Sequence, residues 1–212
     1  MIVLMSAFLL LSAFSCGGGN KANSTSEQDE KTVVNVPQFD ADSAYLYVKN
    51  QVDFGPRVPN TKEHVACGNY LAGQLEAFGA QVTNQYADLI AYDGTLLKAR
   101  NIIGSYKPES KKRIALFAHW DTRPWADNDP DEKNHNTPIL GANDGASGVG
   151  ALLEIARLVN QQQPELGIDI ILLDAEDYGA PQFYTGQHKE EFWCLGSQYW
   201  ARNPHVQGYN AR

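Results

Sequence analysis

The sequence predicts an α/β fold with a mixed, mostly parallel central sheet and helices on both faces. Residues 113–118 and 168–173 are almost continuous apolar runs, which is typical of strands covered on both faces of a sheet. Between them, residues 147–161 repeat apolar side chains at three- and four-residue steps, which indicates an amphipathic helix. A strand, a helix and a strand in this order predict a right-handed crossover between two parallel strands.

Two helices are predicted before these strands. A helical pattern begins near Phe39 and stops at residues 53–59, where two prolines and a glycine force a turn. The second helix covers residues 62–78, because its apolar positions recur at helical steps and Gly79 is suited to end it. We expect this second helix to pack one face on the sheet.

Two further strands are predicted between the second helix and the first apolar run. Residues 81–92 form one strand, and residues 99–106 form its neighbour. Asp93 and Gly94 mark the turn between them.

The composition indicates one globular domain. A chain of 212 residues with 43% hydrophobic residues is long enough to bury a full core. Its 25 acidic residues outnumber its 17 basic residues, and no basic stripe is present that could follow a phosphate backbone. We therefore expect no nucleic acid partner.

The N-terminal residues resemble a bacterial export signal. Residues 2–14 form an apolar run that is too short to span a bilayer as a mature helix. Cys16 follows the run, so we assign residues 1–16 to a lipoprotein signal and Cys16 to lipidation. Plain signal cleavage with an unmodified Cys16 is the alternative. Residues 17–38 are predicted to be a flexible tether, because their central part is polar and has almost nothing to bury.

Both interpretations of the signal place the protein outside the cytoplasm. We expect a periplasmic protein or one anchored to the outer membrane, with membrane contact only through a lipid on Cys16. Cys67 and Cys194 are the other two cysteines, and one disulfide between them is compatible with an oxidising compartment but is not required by it.

Acidic residues and a histidine follow the two apolar strands. His119 and Asp121 come directly after the first strand, Asp144 precedes the crossover helix, and Glu176 and Asp177 follow the second strand. Ligands of open α/β sheets bind outside the carboxyl ends of the strands, so we expect these side chains to share one edge of the sheet. Histidine nitrogens and carboxylate oxygens are ligands that Zn²⁺ accepts.

The residue types suggest different roles within this group. Asp144 is a candidate metal ligand on a tight loop, although Asp144 or Ser147 could instead cap the following helix. Two adjacent acids that end an apolar run are costly unless a metal or a partner neutralises them. One of Glu176 and Asp177 should therefore bind metal while the other faces the substrate as a base.

Other residues near the clusters are candidates for supporting roles. Asp121 is a candidate for orienting a ligand from behind, and His119 at a strand end could be structural or a ligand. Among the four tryptophans we assign Trp193 to substrate binding in a small pocket, with core packing as the alternative. The remaining histidines show no pairing pattern and are interpreted as surface residues: His64, His135, His188 and His205.

The motifs resemble those of the zinc-dependent aminopeptidase-like family, which includes bacterial co-catalytic aminopeptidases and animal-type glutaminyl-peptide cyclotransferases. The resemblance covers residues 39–212, the N-terminal part of the catalytic domain. Its marks, in chain order, are residues 54–57, 118–121, 141–148, 174–177 and 195–197. Residues 120–125 and 174–179 look most like the cyclotransferases of bacteria that carry them as lipoproteins.

The resemblance implies a role for each residue of the site. It makes Asp144 and Asp177 zinc ligands and Glu176 the general acid and base. His119 is a further ligand in the members that bind two zinc ions, whereas the cyclotransferases need one. Asp121 matches the carboxylate that orients the site, and an aspartate at position 177 replaces the commoner glutamate.

The function implied is a zinc-dependent glutaminyl-peptide cyclotransferase, which converts N-terminal glutamine to pyroglutamate and releases ammonia. Its substrates are peptide or protein N-termini. A dinuclear zinc aminopeptidase is the alternative, and a non-catalytic truncated surface lipoprotein is the second alternative. Family members need a further histidine ligand on a later loop, so we expect the chain to be C-terminally truncated at Arg212.

Overall fold

The computed structural model describes residues 35–212. The predicted signal of residues 1–16, including Cys16, lies outside the described residues, as does most of the predicted tether. The helices and strands in chain order are α1 (Ala41–Val52), α2 (Lys62–Ala77), β1 (Gln81–Ile90), β2 (Leu96–Tyr106), β3 (Arg113–His119), α3 (Ala146–Gln161), β4 (Gly167–Leu173) and α4 (Leu195–Arg202). Two single 3₁₀ turns, Glu132–Asn134 and Glu190–Phe192, lie in the loops. Between residues 35 and 212, every helix is too short or too polar to cross a membrane.

The predicted elements are confirmed, with shifted ends. The helices at residues 62–78 and 147–161 and both apolar strands begin and end within one residue of the prediction. Strand β2 begins at Leu96, three residues before the predicted start. Helix α4 was not predicted, because it has only eight residues and buries a single one fully, Gly196.

The four strands form one sheet in the order β1-β2-β4-β3. The predicted mixed sheet is confirmed, but the predicted parallel majority is wrong for the described residues. Strand β2 pairs antiparallel with both β1 and β4, and only β3 with β4 is parallel. For β1 with β2 the physical reason is the short turn between them, since a parallel pair needs a crossover of about a dozen residues or more.

The predicted crossover is confirmed. Helix α3 joins β3 to β4, which run parallel from Arg113 opposite Gly167 to His119 opposite Leu173. All seven residues of β4 are buried, as predicted for a central strand. Burial of β3 on both faces was also predicted and is wrong for the described residues, because β3 is the last strand of the sheet and its Phe117 is 47% exposed.

Helices cover both faces of the sheet, as predicted. Alternate strand residues face opposite sides, so Ile102, Ile170 and Leu172 pack in the main core under α1, α2 and α3. Residues Ile103 and Ile171 point the other way and pack against Trp200 of α4. The main core also contains the buried faces of α2 and α3: Cys67, Leu71, Leu75, Val149, Leu153 and Ala156.

Replacing Leu71 by alanine should lower the free energy of unfolding by about 2–5 kcal/mol, because its fully buried side chain would leave a cavity in the main core. Val65 lies on the same helix but is 57% exposed, so Val65→Ala should change stability by about 0.5 kcal/mol or less. Urea denaturation followed by circular dichroism measures both. Equal losses for the two variants would contradict the assignment of the core face of α2.

Candidate functional site

The carboxyl ends of β3 and β4 bring the predicted site residues together. The two strands end side by side, and the backbone N–H of Trp120 donates to the Leu173 carbonyl at 3.0 Å. The residues that follow each strand therefore leave the sheet at the same place. His119 lies between two acids there, with its Nε2 2.7 Å from Asp144 Oδ1 and its Nδ1 3.7 Å from Glu176 Oε2.

The loop before α3 places Asp144 over the histidine. Gly145 begins the helix as its N-cap with no side-chain cap, and Ser147 donates its hydroxyl to the Asn143 carbonyl. Neither Asp144 nor Ser147 caps the helix, so the structural alternative for Asp144 is not observed. A Cβ on Gly145 would overlap the carbonyl oxygen and the ring of His119. Glycine at this position is what allows the loop to lie against the histidine.

Asp121 connects the two strand ends. Its carboxylate is fully buried and accepts the backbone N–H groups of Glu176 and Asp177, both at 3.1 Å. One of its oxygens also lies 3.5 Å from Nδ1 of His119. Asp121 thus holds the backbone of the acidic pair in place beneath the site. This contact is the geometry expected of a residue that orients the site from behind.

Burial and neighbouring charges shift two pKa values in the site. Burial of Asp177 raises its pKa to about 7; nearby Arg123 opposes this shift, and the surrounding carboxylates add to it. Burial alone lowers the pKa of His119, but the acids around its ring, chiefly Asp121, outweigh burial and raise the pKa to about 9. Neighbouring negative charge contributes to both shifts.

A cavity of about 400 Å³ opens in front of these acids. Its lining includes Asp144 and Asp177 together with Arg123, Trp125 and Trp193. Trp193 is thus placed where a substrate could reach it. Glu176 is partly exposed, with 32% of its side chain accessible. The remaining tryptophans serve packing, as Trp120 is fully buried and Trp200 packs against Phe117 on the opposite face of the sheet.

His64 was predicted to be a surface residue, and this prediction is wrong. Its ring is buried, stacks on Trp120 at 4.3 Å between centroids, and places Nε2 2.9 Å from both carboxylate oxygens of Asp174. The spacing of His64, Cys67 and Leu71 follows the apolar stripe of α2. That spacing was the signal that could have identified a buried histidine.

The other three histidines differ in exposure. His188 is exposed, as predicted. His135 and His205 are partly buried, which corrects their interpretation as surface residues. His205 accepts a hydrogen bond from Trp200 Nε1 at 3.3 Å, and its ring packs against the ring of Tyr209.

Arg57 is a buried residue that holds the loops near the site, a role that was not predicted from the sequence. Its guanidinium donates to the carbonyls of Trp120 at 3.0 Å, Leu140 at 2.8 Å and Gly141 at 2.8 Å. These bonds join the beginning of the segment between β3 and α3 to its end. The two ends are next to His119 and Asp144, respectively. The turn at residues 54–57 was a mark of the family resemblance, but its physical role is visible only in the contacts.

The cysteines of the described residues are both free. Cys67 is buried in the main core, and Cys194 lies at the site with its Sγ 3.4 Å from Glu176 Oε1. The compatible disulfide between them is therefore not formed.

The donor atoms of the site match zinc in type. His119 offers an imidazole, and Asp144 and Asp177 offer carboxylates, which are common zinc ligands. Among residues 35–212, however, no three or more His, Cys, Asp or Glu side chains are arranged to hold a metal ion together. These residues therefore provide part of a tetrahedral set.

Comparison with known proteins places the chain in a family. Residues 101–212 match peptidase family M28, and the chain belongs to that family. It is also 35% identical over 115 residues to the uncharacterised protein YfbL of Escherichia coli K12; this match covers 54% of the chain and 32% of YfbL.

Several solved structures are more similar to the chain than YfbL is, and they are described either as a glutaminyl cyclase or as a peptidase. The chain is 94% identical to a glutaminyl cyclase of Bacteroides thetaiotaomicron bound to N-acetylhistamine. This match has a TM-score of 0.83 and covers 84% of this chain and 61% of that one. It is also 94% identical to a structure described as a leucine aminopeptidase precursor of the same species, with a TM-score of 0.84 and coverages of 85% and 62%. A Zn-dependent exopeptidase of Parabacteroides distasonis is 63% identical, with a TM-score of 0.82 and coverages of 84% and 60%. The chain spans about three fifths of the length of these structures.

Replacing Asp121 by asparagine should weaken binding of added Zn²⁺ by about 10- to 100-fold, because an amide cannot accept both backbone N–H groups that hold residues 176 and 177. Competition with a chromogenic chelator measures the affinity. Asp88→Asn is the matched control, since Asp88 is exposed on β1 and its carboxylate pairs with Lys98. Equal affinities for the two variants would contradict the role of Asp121.

Proposed function

We propose that the protein is a zinc-dependent glutaminyl-peptide cyclotransferase acting on peptide or protein N-termini. The observation that carries the proposal is the convergence of Glu176, Asp144 and Asp177 on one site, with Glu176 partly exposed and the two aspartates lining the cavity. High identity to a chain described as a glutaminyl cyclase supports this choice of reaction. The proposal concerns the whole protein, since the chain spans 61% of that relative.

Asp144 and Asp177 are the proposed zinc ligands. Bound zinc would supply Lewis-acid polarisation of the side-chain amide carbonyl of the N-terminal glutamine. One zinc ion is sufficient for this reaction, because the α-amine of the substrate is the nucleophile. Arg123 lies 3.5 Å from Asp177 Oδ1 and limits the directions in which this carboxylate can turn.

Glu176 is the proposed proton carrier. It would accept a proton from the attacking α-amine as the new carbon–nitrogen bond forms, and return a proton to the amide nitrogen that leaves as ammonia. Asp121 fixes the backbone N–H of Glu176 at 3.1 Å, so the carboxylate starts from a defined position. Its side chain is 32% exposed, so it can be reached from solvent beside the two aspartates.

The cavity suits a small side chain. Its volume of about 400 Å³ lies in the range of ordinary ligand pockets. Trp193 and Trp125 would provide apolar walls for the methylene groups of a glutamine side chain, and we assign substrate contact to Trp193.

A dinuclear aminopeptidase is the second candidate. The placement of His119 Nε2 2.7 Å from Asp144 Oδ1 favours it, because a second metal could use this nitrogen. Identity of 94% to a structure described as a leucine aminopeptidase precursor also supports it. In that case Glu176 would take a proton from water instead of from the substrate amine.

Incubation of the zinc-loaded protein with a glutamine-initiated peptide separates the two functions. Ammonia release from a peptide that keeps its full length, with a mass loss matching one ammonia, is the expected result. Release of a free amino acid would favour the aminopeptidase. Stoichiometric zinc binding without either product would contradict both functions and favour a non-catalytic protein.

Replacing Glu176 by glutamine should lower turnover by about 10²- to 10⁴-fold, because the amide cannot carry the proton. Zinc content, measured by atomic absorption, should not change. Glu190→Gln is the matched control on the exposed turn near the site and should retain turnover. Turnover by Glu176→Gln equal to that of the control would remove Glu176 from the mechanism.

We further propose that the protein is exported and carries a lipid on Cys16. The apolar run at residues 2–14 and the cysteine that follows it support this proposal. Membrane fractionation of wild type and Cys16→Ser tests it, with loss of membrane association expected for the variant.

A further inference from the structure

Arg123 is buried between the two loops that border the cavity. Its side chain is 9% exposed and forms a two-pronged ion pair with Asp127, from Nε to Oδ1 at 2.7 Å and from Nη2 to Oδ2 at 2.5 Å. Asp127 also accepts the backbone N–H of Gln182 at 2.8 Å. The pair therefore joins the loop after β3 to the loop after β4.

The other edge of the guanidinium holds the loop after β4 directly. Nη1 donates to the Asp177 carbonyl at 3.3 Å and lies 3.5 Å from both Asp177 Oδ1 and the Gly179 carbonyl. Nη2 donates to the Ala180 carbonyl at 3.4 Å. Arg123 thus contacts three successive points of the segment that begins with a proposed zinc ligand.

The guanidinium carbon of Arg123 lies over the ring of Trp193, 4.8 Å from its centroid, and 5.7 Å from the ring centroid of Trp125. The indole of Trp193 also packs tightly against the backbone of Gly179, where a Cβ would overlap the ring. Trp193 is therefore in contact with both the cation and the glycine backbone. These two contacts restrict the indole to one of the several rotamers that a tryptophan side chain can adopt.

We propose that Arg123 is a positioning residue that fixes Trp193 as a wall of the substrate cavity. The proposal deepens the cyclotransferase function and rests on it for the kinetic effect. A lysine could preserve the charge beside Asp127 and Asp177, but only the planar guanidinium can pair with Asp127 along one edge and stack on an indole with its face. Substrate binding should therefore depend on the shape of residue 123 as well as on its charge.

The kinetic test compares Arg123→Lys with wild type on a glutamine-initiated peptide, using zinc-loaded protein. KM should rise by about 3- to 30-fold, the range expected for losing a cation–π contact, while kcat changes by a smaller factor. The matched control is Arg157→Lys on α3, where an arginine makes an equally two-pronged pair with Glu154 at 2.7 and 2.6 Å far from the cavity. Its KM should stay at the wild-type value.

A double-mutant comparison tests whether Arg123 acts through Trp193. In a Trp193→Ala background, Arg123→Lys should raise KM by less than it does in wild type, because the contact is already missing. An undiminished rise would show that Arg123 does not act through Trp193 and would overturn the proposal.

Tryptophan fluorescence gives a readout that needs no activity. The emission of Trp193 is the difference between the spectra of two proteins that differ only by Trp193→Ala. When both proteins also carry Arg123→Lys, this difference spectrum should move to longer wavelength, because the indole becomes exposed to water. Arg157→Lys should not move it. If wild type shows no cyclisation, the proposed function fails, whereas an unchanged spectrum in Arg123→Lys overturns the positioning role.

Asp127→Asn is a second variant for the case in which Arg123→Lys does not fold. It leaves the guanidinium in place but removes the carboxylate that orients it. The same spectral shift and the same rise in KM are expected. A wild-type spectrum and KM in this variant would overturn the proposal.

Discussion

The parallel pairing of β3 with β4 is the constraint on which the rest of the site depends. It sets His119 opposite Leu173, so the polar residues after one strand emerge beside those after the other. The crossover through α3 has a further effect, because the helix must begin at the same edge to return to β4. Asp144, which precedes α3, is thereby placed over His119. One topological rule brings together side chains that are far apart in the chain.

Loops that leave a sheet lose the hydrogen bonds of the strand ladder, and buried polar side chains replace them here. Asp121 accepts two N–H groups of the loop after β4, and Asp174 accepts those of Arg100 and Ala175. Arg57 donates to three carbonyls of the loops around His119. Each buried charge is thus hydrogen-bonded to several backbone groups. These bonds offset the free-energy cost of burying the charge and restrict the movement of the loops.

Local pattern and general topology were sufficient to predict much of this arrangement. The strands at residues 113–118 and 168–173 and the helix between them followed from hydrophobic periodicity, and the shared edge followed from their order. The antiparallel majority was not predicted, because the hydrophobic pattern does not show that β2 pairs with β4 or in which direction. His64 was assigned to the surface because a polar residue type was given more weight than its place on the stripe of α2. Pairings such as Arg123 with Asp127 and Trp193 involve loops, whose contacts no periodicity encodes.

The charges of the site explain why its rigid supports matter. The carboxylates of Asp121, Asp144 and Glu176 surround His119, and Asp177 lies close to them. Burial, together with repulsion from the other three carboxylates, raises the pKa of Asp177. Burial lowers the pKa of His119, but attraction between its protonated ring and the carboxylates outweighs burial and raises it. Without rigid loops, the carboxylates would move apart and the repulsion would be relieved by distance. The hydrogen bonds of Asp121 and Arg123 prevent this movement at residue 177. A cation stabilises acids that are held close together, so the supports around Asp177 agree with the zinc site proposed at Asp144 and Asp177.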